Sequence, residues 1–332
     1  MKLFARNLAS AAAFATALGI LAGAQSAQAQ QEIKLGYALA PNSHYGVAAD
    51  KWQEEVEAKT DGRYSFRHFP SSGLGGEREV IEGLQIGTIE ATIVSSGTLS
   101  NFVPETGVFD IPFLFRDLNH ARDVLDGEIG QNILAKFDDV GLVALAWGEQ
   151  GFRHITNNRN TIGKPEDVAG LKLRTMENPI HITAFETLGA APTPMAWPEV
   201  ISSLQQGTID GQENPLSVIT STNLSEVQKY LTLSGHVYSP AMLLVSKQLW
   251  EGMSDEDKQA FQTGATEAAK AMRAFVDNVE TSGVAQLKEE GMDVGELTAE
   301  QKATFQQAVQ PAYEQYYEQY DKALIDQIIA TK

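Results

Sequence analysis

Residues 193–215 read TPMAWPEVISSLQQGTIDGQENP, and their pattern indicates the fold class. It predicts a helix, a glycine stop and a short strand over residues 208–211 that ends in polar side chains. Residues 84–90, LQIGTIE, closely repeat residues 204–210, LQQGTID, with one acid exchanged for another. Two copies of a helix–glycine–strand unit indicate two similar α/β lobes. Ligands of such sheets bind at the strand ends, in the cleft between the lobes.

The first 29 residues have the pattern of a secretory signal peptide. Lys2 and Arg6 give a positive start, residues 8–21 form an apolar, alanine-rich run, and residues 27–29 read AQA, a small-x-small cleavage site. The apolar run is short for a membrane span, and an uncleaved N-terminal anchor is the alternative. The sequence therefore predicts a periplasmic protein whose mature chain starts near Gln30.

The composition and charge of the chain limit the kinds of molecule that it can bind. At 332 residues and 43% hydrophobic content, the chain has enough apolar side chains for two domains. Because the signal segment carries two bases and no acid, its removal changes the formal net charge from −18 to −20. Such a surface repels nucleic acid and anionic lipid, so an anionic ligand needs a locally positive pocket. The chain has no cysteine, so it has neither disulfides nor thiolate metal sites.

The pattern of predicted elements divides the chain into segments. Residues 33–39 and 63–69 are predicted strands on either side of a helix capped by Asn42 or Ser43, which favours parallel pairing. The predicted segments are a signal peptide over 1–29, lobe I over 30–150, lobe II over 151–238, a return to lobe I over 239–280, and C-terminal helices packing mainly on lobe II over 281–332.

The C-terminal third is predicted to be helical. A capping pattern at Ser254 starts a helix that runs to about residue 290, which would be ~54 Å long at about 1.5 Å per residue. A helix of that length would have to span both lobes. Thr298 caps a last helical region, which we expect Pro311 to break.

Five polar or aromatic residues are candidates for ligand contact. Arg174 ends a predicted strand and can bind a carboxylate through both arms of its guanidinium, or pair with a neighbouring acid. Arg153 opens the second lobe and either contacts a ligand or forms a salt bridge at the surface or hinge. Asn214 suits a ligand oxygen or a turn before a proline. Trp197 lines a pocket or belongs to the core, and Glu77 contacts a ligand or simply caps a helix.

Other motifs and histidine patterns point away from catalysis and metal binding. The chain has no HExxH, GxSxG, GxGxxG or P-loop pattern, and its six histidines show no i,i+4 pairing. We therefore expect no metal site and no cofactor. His44, His181 and His236 are interpreted as structural residues, with contact of His44 or His236 to a ligand left open. Asp110 and Asp117 are interpreted as turn formers.

Seven short motifs occur along the mature chain: FPSS at 69–72, LGGER at 74–78, DIPFLF at 110–115, GLKLR at 170–174, PTPM at 192–195, EV at 199–200 and DGQENP at 210–215. In this order they resemble the DctP-type solute-binding proteins of TRAP (tripartite ATP-independent periplasmic) transporters. The resemblance covers essentially the whole mature chain. The resemblance implies a two-lobed periplasmic binding protein fold, with a long helix spanning both lobes and closure around an organic acid.

The resemblance also implies roles for individual residues. Arg174 corresponds to the arginine that pairs with the ligand carboxylate, and Arg153 to a second arginine just inside the second lobe. Asn214 corresponds to the asparagine of the Gln-Glu-Asn-Pro motif. Trp197 takes the place of an aromatic residue, and Glu77 that of a carboxylate that meets sugar hydroxyls in some members.

Four further positions complete the predicted site. Ser95 and Thr98 occupy positions where sialic-acid binders carry Glu and Arg, which argues against sialic acid. Met176 and Tyr238 are added as ligand contacts. The stretch from Arg174 onward partly resembles ectoine-binding relatives, but the polar residues favour a hydroxylated carboxylate such as a sugar acid or hydroxy acid.

The implied partners are a small organic acid and the membrane permease subunits of a TRAP transporter. We expect a monomer that binds no nucleic acid. The alternatives are a ligand-binding module that feeds a sensor kinase and, on the same scaffold, a periplasmic enzyme. Without a nucleophile–base constellation in the sequence, the enzyme is the weaker alternative.

Overall fold

A computed structural model of the protein describes residues 30–332, so the predicted signal peptide lies outside the described residues. Within this range the strands are β1 (Gln31–Tyr37), β2 (Tyr64–Phe69), β3 (Ala91–Ser95), β4 (Leu142–Asn157), β5 (Lys172–Thr175), β6 (Ala191–Pro194), β7 (Gly211–Pro215), β8 (Tyr230–Leu233), β9 (Tyr238–Ser246) and β10 (Asp293–Glu296). The helices are α1 (His44–Lys59), α2 (Glu77–Gln85), α3 (Ser96–Leu99), α4 (Leu118–Asp126), α5 (Glu128–Ala135), α6 (Pro179–Thr187), α7 (Trp197–Gln205), α8 (Leu216–Ser221), α9 (Lys247–Glu251), α10 (Asp255–Glu289), α11 (Ala299–Gln319) and α12 (Lys322–Ala330).

The strands form two similar halves of one mixed sheet. Their order is β2-β1-β3-β9-β4-β7-β5-β6, with β8 and β10 branching from β4. In the first half β1 pairs in parallel with β2 and β3, and in the second half β5 pairs in parallel with β6 and β7. Each half thus repeats the same strand–helix arrangement. The prediction of a two-lobed α/β fold with parallel strand–helix–strand units is confirmed.

The repeated sequence segment has the same structure in both halves. After α2 and α7 the chain turns through Gly87 (φ 73°) and Gly207 (φ 68°), a backbone region that favours glycine. The acid that follows each turn then holds the neighbouring strand. Glu90 Oε2 accepts from the backbone N–H of Lys34 at 3.0 Å, and Asp210 Oδ2 accepts from that of Lys172 at 2.8 Å.

The hydrogen bonds of this turn also explain why one predicted strand boundary is wrong. The strand expected over residues 208–211 begins only at Gly211, because Thr208 and Asp210 still belong to the turn and bond to Ser203 and Lys172. The polar strand end, which faces the cleft, therefore falls on residues 212–215.

Strands β4 and β9 and helix α10 connect the two halves. β4 is a 16-residue strand that pairs with β9 along its first part and with β7 and β8 along its last five residues. Its register shifts between Glu149 and Gly151, and Gly151 has φ 106°. This bend lies between the parts of β4 that belong to each half. The lobe boundaries at residues 151 and 238 stay a prediction.

Helix α10 is continuous over 35 residues, as predicted, and Ser254 caps it by accepting from the Asp257 N–H. It packs closely on α1. The Trp52 indole donates to the Phe261 carbonyl at 3.2 Å, and a Cβ added at Gly264 would lie 2.9 Å from the Trp52 ring. Glycine at this position therefore permits the close helix contact.

The expected break at Pro311 is wrong, because α11 runs through this residue to Gln319. A proline inside a helix removes one hydrogen bond and usually kinks it. Here Val309, Ala312 and Tyr316, on either side of the proline, are all buried in one core cluster, and this packing holds the helix together.

The C-terminal helices contact both halves. α11 packs on α6 of the second half. In α12, Ile325 and Ile328 are buried in the cluster that holds Phe109 and Leu125, and the His120 imidazole bonds to the Ile328 carbonyl at 2.8 Å. Among the described residues, no helix is both long and apolar enough to cross a membrane.

Replacing Gly264 with alanine is expected to destabilise the protein. The new methyl group would crowd Trp52 and Val56, and overpacking of about 1–3 kcal/mol should exceed the helix-propensity gain of about 1 kcal/mol. Urea denaturation measures the change. Thr266→Ala, at an exposed position of the same helix, is the control and should change stability by less than about 0.5 kcal/mol. A stabilised Gly264→Ala variant would show that α1 and α10 do not need this close contact.

Glu280 is expected to make stability depend on pH. Its carboxylate lies 3.2 Å from the Cβ position of Gly151 at the bend of β4, and burial, with Glu149 and Asp277 nearby, raises its pKa to about 7. Because the folded state binds this proton more tightly, its contribution is full below the unfolded pKa and is lost as pH rises towards 7.

Glu280→Gln should therefore remove part of the loss of stability between pH 4.5 and pH 7. Denaturation midpoints of wild type and variant across this range measure it. Glu289→Gln, on an exposed part of α10, is the control, and parallel profiles of wild type and Glu280→Gln would contradict the assignment.

Candidate ligand-binding site

A cavity opens where the strand ends of the two halves meet. It lies at the carboxyl ends of β1, β3, β5, β6 and β7, the usual ligand position of open α/β sheets. Its empty volume is about 540 Å³, including its opening. The residues that line this ligand cavity are Ala38, Leu39, Tyr45, Glu77, Arg78, Ser95, Thr98, Gln150, Arg153, Arg174, Met176, Glu177, Met195, Ala196, Trp197, Asn214 and Val218.

Arg174 contributes a buried positive charge to the cavity. It is the next-to-last residue of β5, is 3% exposed, and donates from Nε and Nη2 to the Met195 carbonyl at 3.0 and 2.7 Å. Its guanidinium lies 5.7 Å from the ring centroid of Trp197. Burial lowers the pKa of Arg174 to about 10, so it stays charged at neutral pH. Within residues 30–332 no carboxylate lies within salt-bridge distance of Arg174.

Arg153 lines the same cavity but already has a carboxylate partner. It is fully buried and pairs with Glu213, with Nη2 at 2.8 Å from Oε1, and Nη2 also reaches Asn214 Oδ1 at 3.2 Å. Burial opposes ionisation of Glu213, but Arg153, His236 and His181 outweigh it and hold the Glu213 pKa well below its usual range. Arg153 therefore forms the salt bridge that was the alternative to a ligand role, and this salt bridge is buried and not at the surface.

Asn214 is held in place by its neighbours. Its Oδ1 accepts from Arg153, and its Nδ2 donates to Gln212 Oε1. The Gln212 amide in turn donates to Thr156 Oγ1 at 2.9 Å. One Nδ2 hydrogen of Asn214 is left to face the cavity, since the amide carries two.

Glu77 stands on the first-half wall of the cavity as the first residue of α2. Its carboxylate accepts from the Ser95 N–H at 2.9 Å and the Thr98 hydroxyl at 2.6 Å, so these three predicted residues form one hydrogen-bonded group. Burial raises the pKa of Glu77, opposed by these hydrogen bonds and by the charge of Arg174. Glu77 therefore forms part of the cavity wall and is not only a helix-capping residue.

An apolar wall faces these polar groups. Trp197 is the first residue of α7, where the chain leaves β6, and it is partly buried between two core clusters. Met176 lies just beyond β5, and its Sδ accepts from the Ser95 hydroxyl at 3.6 Å. Trp197 is therefore both a wall of the cavity and a core residue, so both interpretations of it hold.

Tyr238 does not line the cavity, and its predicted ligand contact is corrected. It is the first residue of β9, and its hydroxyl donates to Glu149 Oε2 at 3.0 Å. Its ring packs on Phe115 and Phe152 at 5.3 and 5.5 Å. These contacts place the side chain among the aromatic residues behind β4.

The histidines and acids interpreted as structural lie outside the cavity lining. His236 bonds to Glu213 Oε2 at 3.2 Å, behind Arg153, and His44 is buried beside Tyr45, where burial lowers its pKa to about 3. Asp117 caps α4, as expected of a turn former. Asp110 differs from that expectation, because it is fully buried and bonds to polar groups of both halves.

Sequence reasoning missed several residues of the site. Glu213 immediately precedes Asn214 in the sequence, and the salt bridge considered for Arg153 was the signal that an acid had to lie near that arginine. Gln150 donates to Ser95 Oγ at 2.8 Å and to Ser239 Oγ at 3.1 Å, and it precedes Gly151. Tyr45 comes from α1, where only its apolar surroundings were visible in the sequence.

Comparison with known proteins gives one consistent family. The profile of the family "Bacterial extracellular solute-binding protein, family 7" (DctP) matches residues 35–320. A solute-binding protein of Verminephrobacter eiseniae is 50% identical over 303 residues, which cover 91% of this chain and 90% of that protein.

Two solved structures are similar throughout. A TRAP periplasmic solute-binding protein from Bordetella bronchispeptica, with density assigned to pantoate, is 59% identical with a TM-score of 0.89, covering 91% of this chain and 100% of that one. Another from Polaromonas sp. JS666, bound to D-erythronate, is 50% identical with a TM-score of 0.89, covering 91% and 99%. The chain therefore belongs to the DctP family of TRAP transporter solute-binding proteins.

Proposed function

We propose that this protein captures a small hydroxylated carboxylate and delivers it to a TRAP membrane permease from the periplasm. One observation carries the proposal: the cavity holds two buried guanidinium groups and only one of them has a carboxylate partner. A buried charge without a partner is costly, so Arg174 favours an anionic ligand. The planar guanidinium fits a carboxylate in particular.

The polar wall supports a ligand that also carries hydroxyl groups. Glu77 can accept from a ligand hydroxyl, and Ser95, Thr98 and Gln150 both donate and accept around it. The acids named with the two similar structures, pantoate and D-erythronate, are both hydroxylated monocarboxylates. In our proposal the carboxylate lies between Arg174 and Asn214, and Met176 and Trp197 contact the carbon chain.

Capture by closure of two lobes is part of the same proposal. The cavity is lined from both halves, and contacts between the halves surround it, including Arg78–Glu177 at 3.9 Å and Asn101 Nδ2 to the Glu177 carbonyl at 2.8 Å. We infer lobes that separate near residues 151 and 238 and close on the acid. Closure would change the surface that the permease contacts and so couple binding to delivery.

The wild-type protein, refolded to remove any carried-over ligand, is expected to bind D-erythronate or pantoate but not erythritol, which has hydroxyls and no carboxylate. Arg174→Ala should weaken binding by about 2–5 kcal/mol, because the ligand carboxylate would be left buried without its partner. Isothermal titration calorimetry measures both.

Arg67→Ala is the matched control, since Arg67 lies outside the cavity lining and its exposed ion pair with Glu32 should contribute at most about 1 kcal/mol. Equal affinities of wild type and Arg174→Ala would refute the carboxylate anchor. If erythritol bound as tightly as the acid, the proposal that the ligand is a carboxylate would be refuted.

Glu213→Ala is expected to reduce stability strongly, by about 3–5 kcal/mol, because it leaves Arg153 buried without a counter-charge. Chemical denaturation of the ligand-free protein measures this. Arg174→Ala should cost less stability than Glu213→Ala, since it removes two hydrogen bonds to the Met195 carbonyl but leaves no buried charge without a counter-charge. A Glu213→Ala variant as stable as wild type would show that water or a local rearrangement compensates Arg153.

A further inference from the structure

We propose that Asn178 is a positioning residue whose side-chain amide latches the two halves together and so retains the bound acid. The proposal rests on the function proposed above. Asn178 follows β5 by three residues and does not line the ligand cavity, although its neighbours Met176 and Glu177 do. Any effect of Asn178 on ligand binding must therefore arise from its contact between the halves and not from direct contact with the ligand.

Every polar atom of the Asn178 side chain is engaged. Its Oδ1 accepts from the N–H groups of Ile180 and His181 at 2.8 and 3.3 Å and so caps α6 in the second half. Its Nδ2 donates to the Gly97 carbonyl at 3.1 Å and to Asp110 Oδ2 at 2.8 Å. The residue has no exposed surface, so water does not compete for these bonds in this conformation.

The two acceptors belong to the other half of the molecule. Gly97 lies in α3, directly after β3, and Asp110 ends a short 3-10 segment packed in the first-half core. In the sheet, β3 and β5 are separated by β9, β4 and β7. The Asn178 amide thus bonds across the cleft and not to a neighbouring strand.

Asp110 presents a carboxylate across the cleft, so the group that contacts it from the second half has to be a hydrogen-bond donor. Its carboxylate is fully buried and accepts from Ser96 Oγ of its own half at 3.2 Å, while its other neighbours, Asn178 and His181 Nε2 (3.6 Å), come from the second half. A buried carboxylate needs hydrogen-bond donors around it. When the halves separate, Asp110 loses the Asn178 donor and needs water instead.

Close approach at Gly97 places the latch beside the ligand. A Cβ added there would lie 2.6 Å from Met176 Sδ and 3.6 Å from Asn178 Nδ2. The absence of a side chain at Gly97 lets Met176, which lines the cavity, pack against α3. The latch and the cavity wall therefore close together, and release of the acid requires the Asn178 bonds to break.

Asn178→Asp tests the latch. The aspartate keeps the acceptor that caps α6, but it loses both donors and sets a second carboxylate against Asp110 and the Gly97 carbonyl. We expect dissociation of the bound acid to become faster by about ten- to a hundredfold, with an association rate that changes by less than about threefold. Stopped-flow Trp fluorescence with D-erythronate measures both rates, since Trp197 lines the cavity.

Asp110→Asn in the Asn178→Asp background supplies the lost donor from the other side and should restore most of the slow dissociation. Asn132→Asp is the control, because it adds the same charge at an exposed position of α5 in the first half, away from the contact between the halves, and should change the rate less than threefold. If Asn178→Asp does not fold, Asn178→Ser keeps a capping oxygen and should still speed dissociation.

Unchanged dissociation in Asn178→Asp, failure of Asp110→Asn to rescue it, or an equal effect of Asn132→Asp would each overturn the latch. If wild-type protein binds none of the acids, the proposed function fails separately. The latch is then judged by X-ray scattering of the ligand-free protein, in which Asn178→Asp should give a larger radius of gyration than Asn132→Asp, and equal radii would overturn it.

Discussion

The buried ion pair between Arg153 and Glu213 is the interaction on which the site depends. It joins β4, the strand that crosses between the halves, to β7, and it holds Asn214 through Arg153 Nη2. Its two charges cancel inside a low-dielectric interior, where neither would be stable alone. Because this pair is already neutral, the proposed carboxylate ligand would find Arg174 as a buried charge without a salt-bridge partner among the described residues, in spite of the acidic surface.

The same backbone device positions this chemistry in both halves. A glycine with positive φ ends the helix, and the acid after it fixes the next strand by holding a backbone N–H of its neighbour. The following strand then delivers Ser95 in one half and Asn214 in the other to the cavity. Two copies of one unit thus give two walls of different character, a hydroxyl-rich wall with Glu77 and a cationic wall with Arg174.

The two lobes and the long helix could be predicted from sequence, because periodicity, caps and strand ends depend on local residues. Eight of the nine candidate residues line the cavity, but some of them, such as Ser95 and Thr98, came from the family resemblance, and their contacts to a ligand stay a prediction. What could not be predicted depends on contacts between distant segments. Tyr238 lies behind β4 because Phe115 and Phe152 surround it, and α11 continues through Pro311 because both sides of the proline are buried. Asp110 resembles a turn residue until the opposite half brings Asn178 to it.

The position of β9 has a consequence for how the chain folds. β9 lies between β3 and β4, so Ile93 pairs with Leu243, and no hydrogen bond joins β3 to β4 directly. The sheet of the first half is therefore incomplete until the chain has been made past residue 246. Contacts so distant in sequence close large loops and form slowly. The first half therefore cannot be cut out as one continuous piece of sequence, and the edge of β3 is open to aggregation in a nascent chain until β9 has been made.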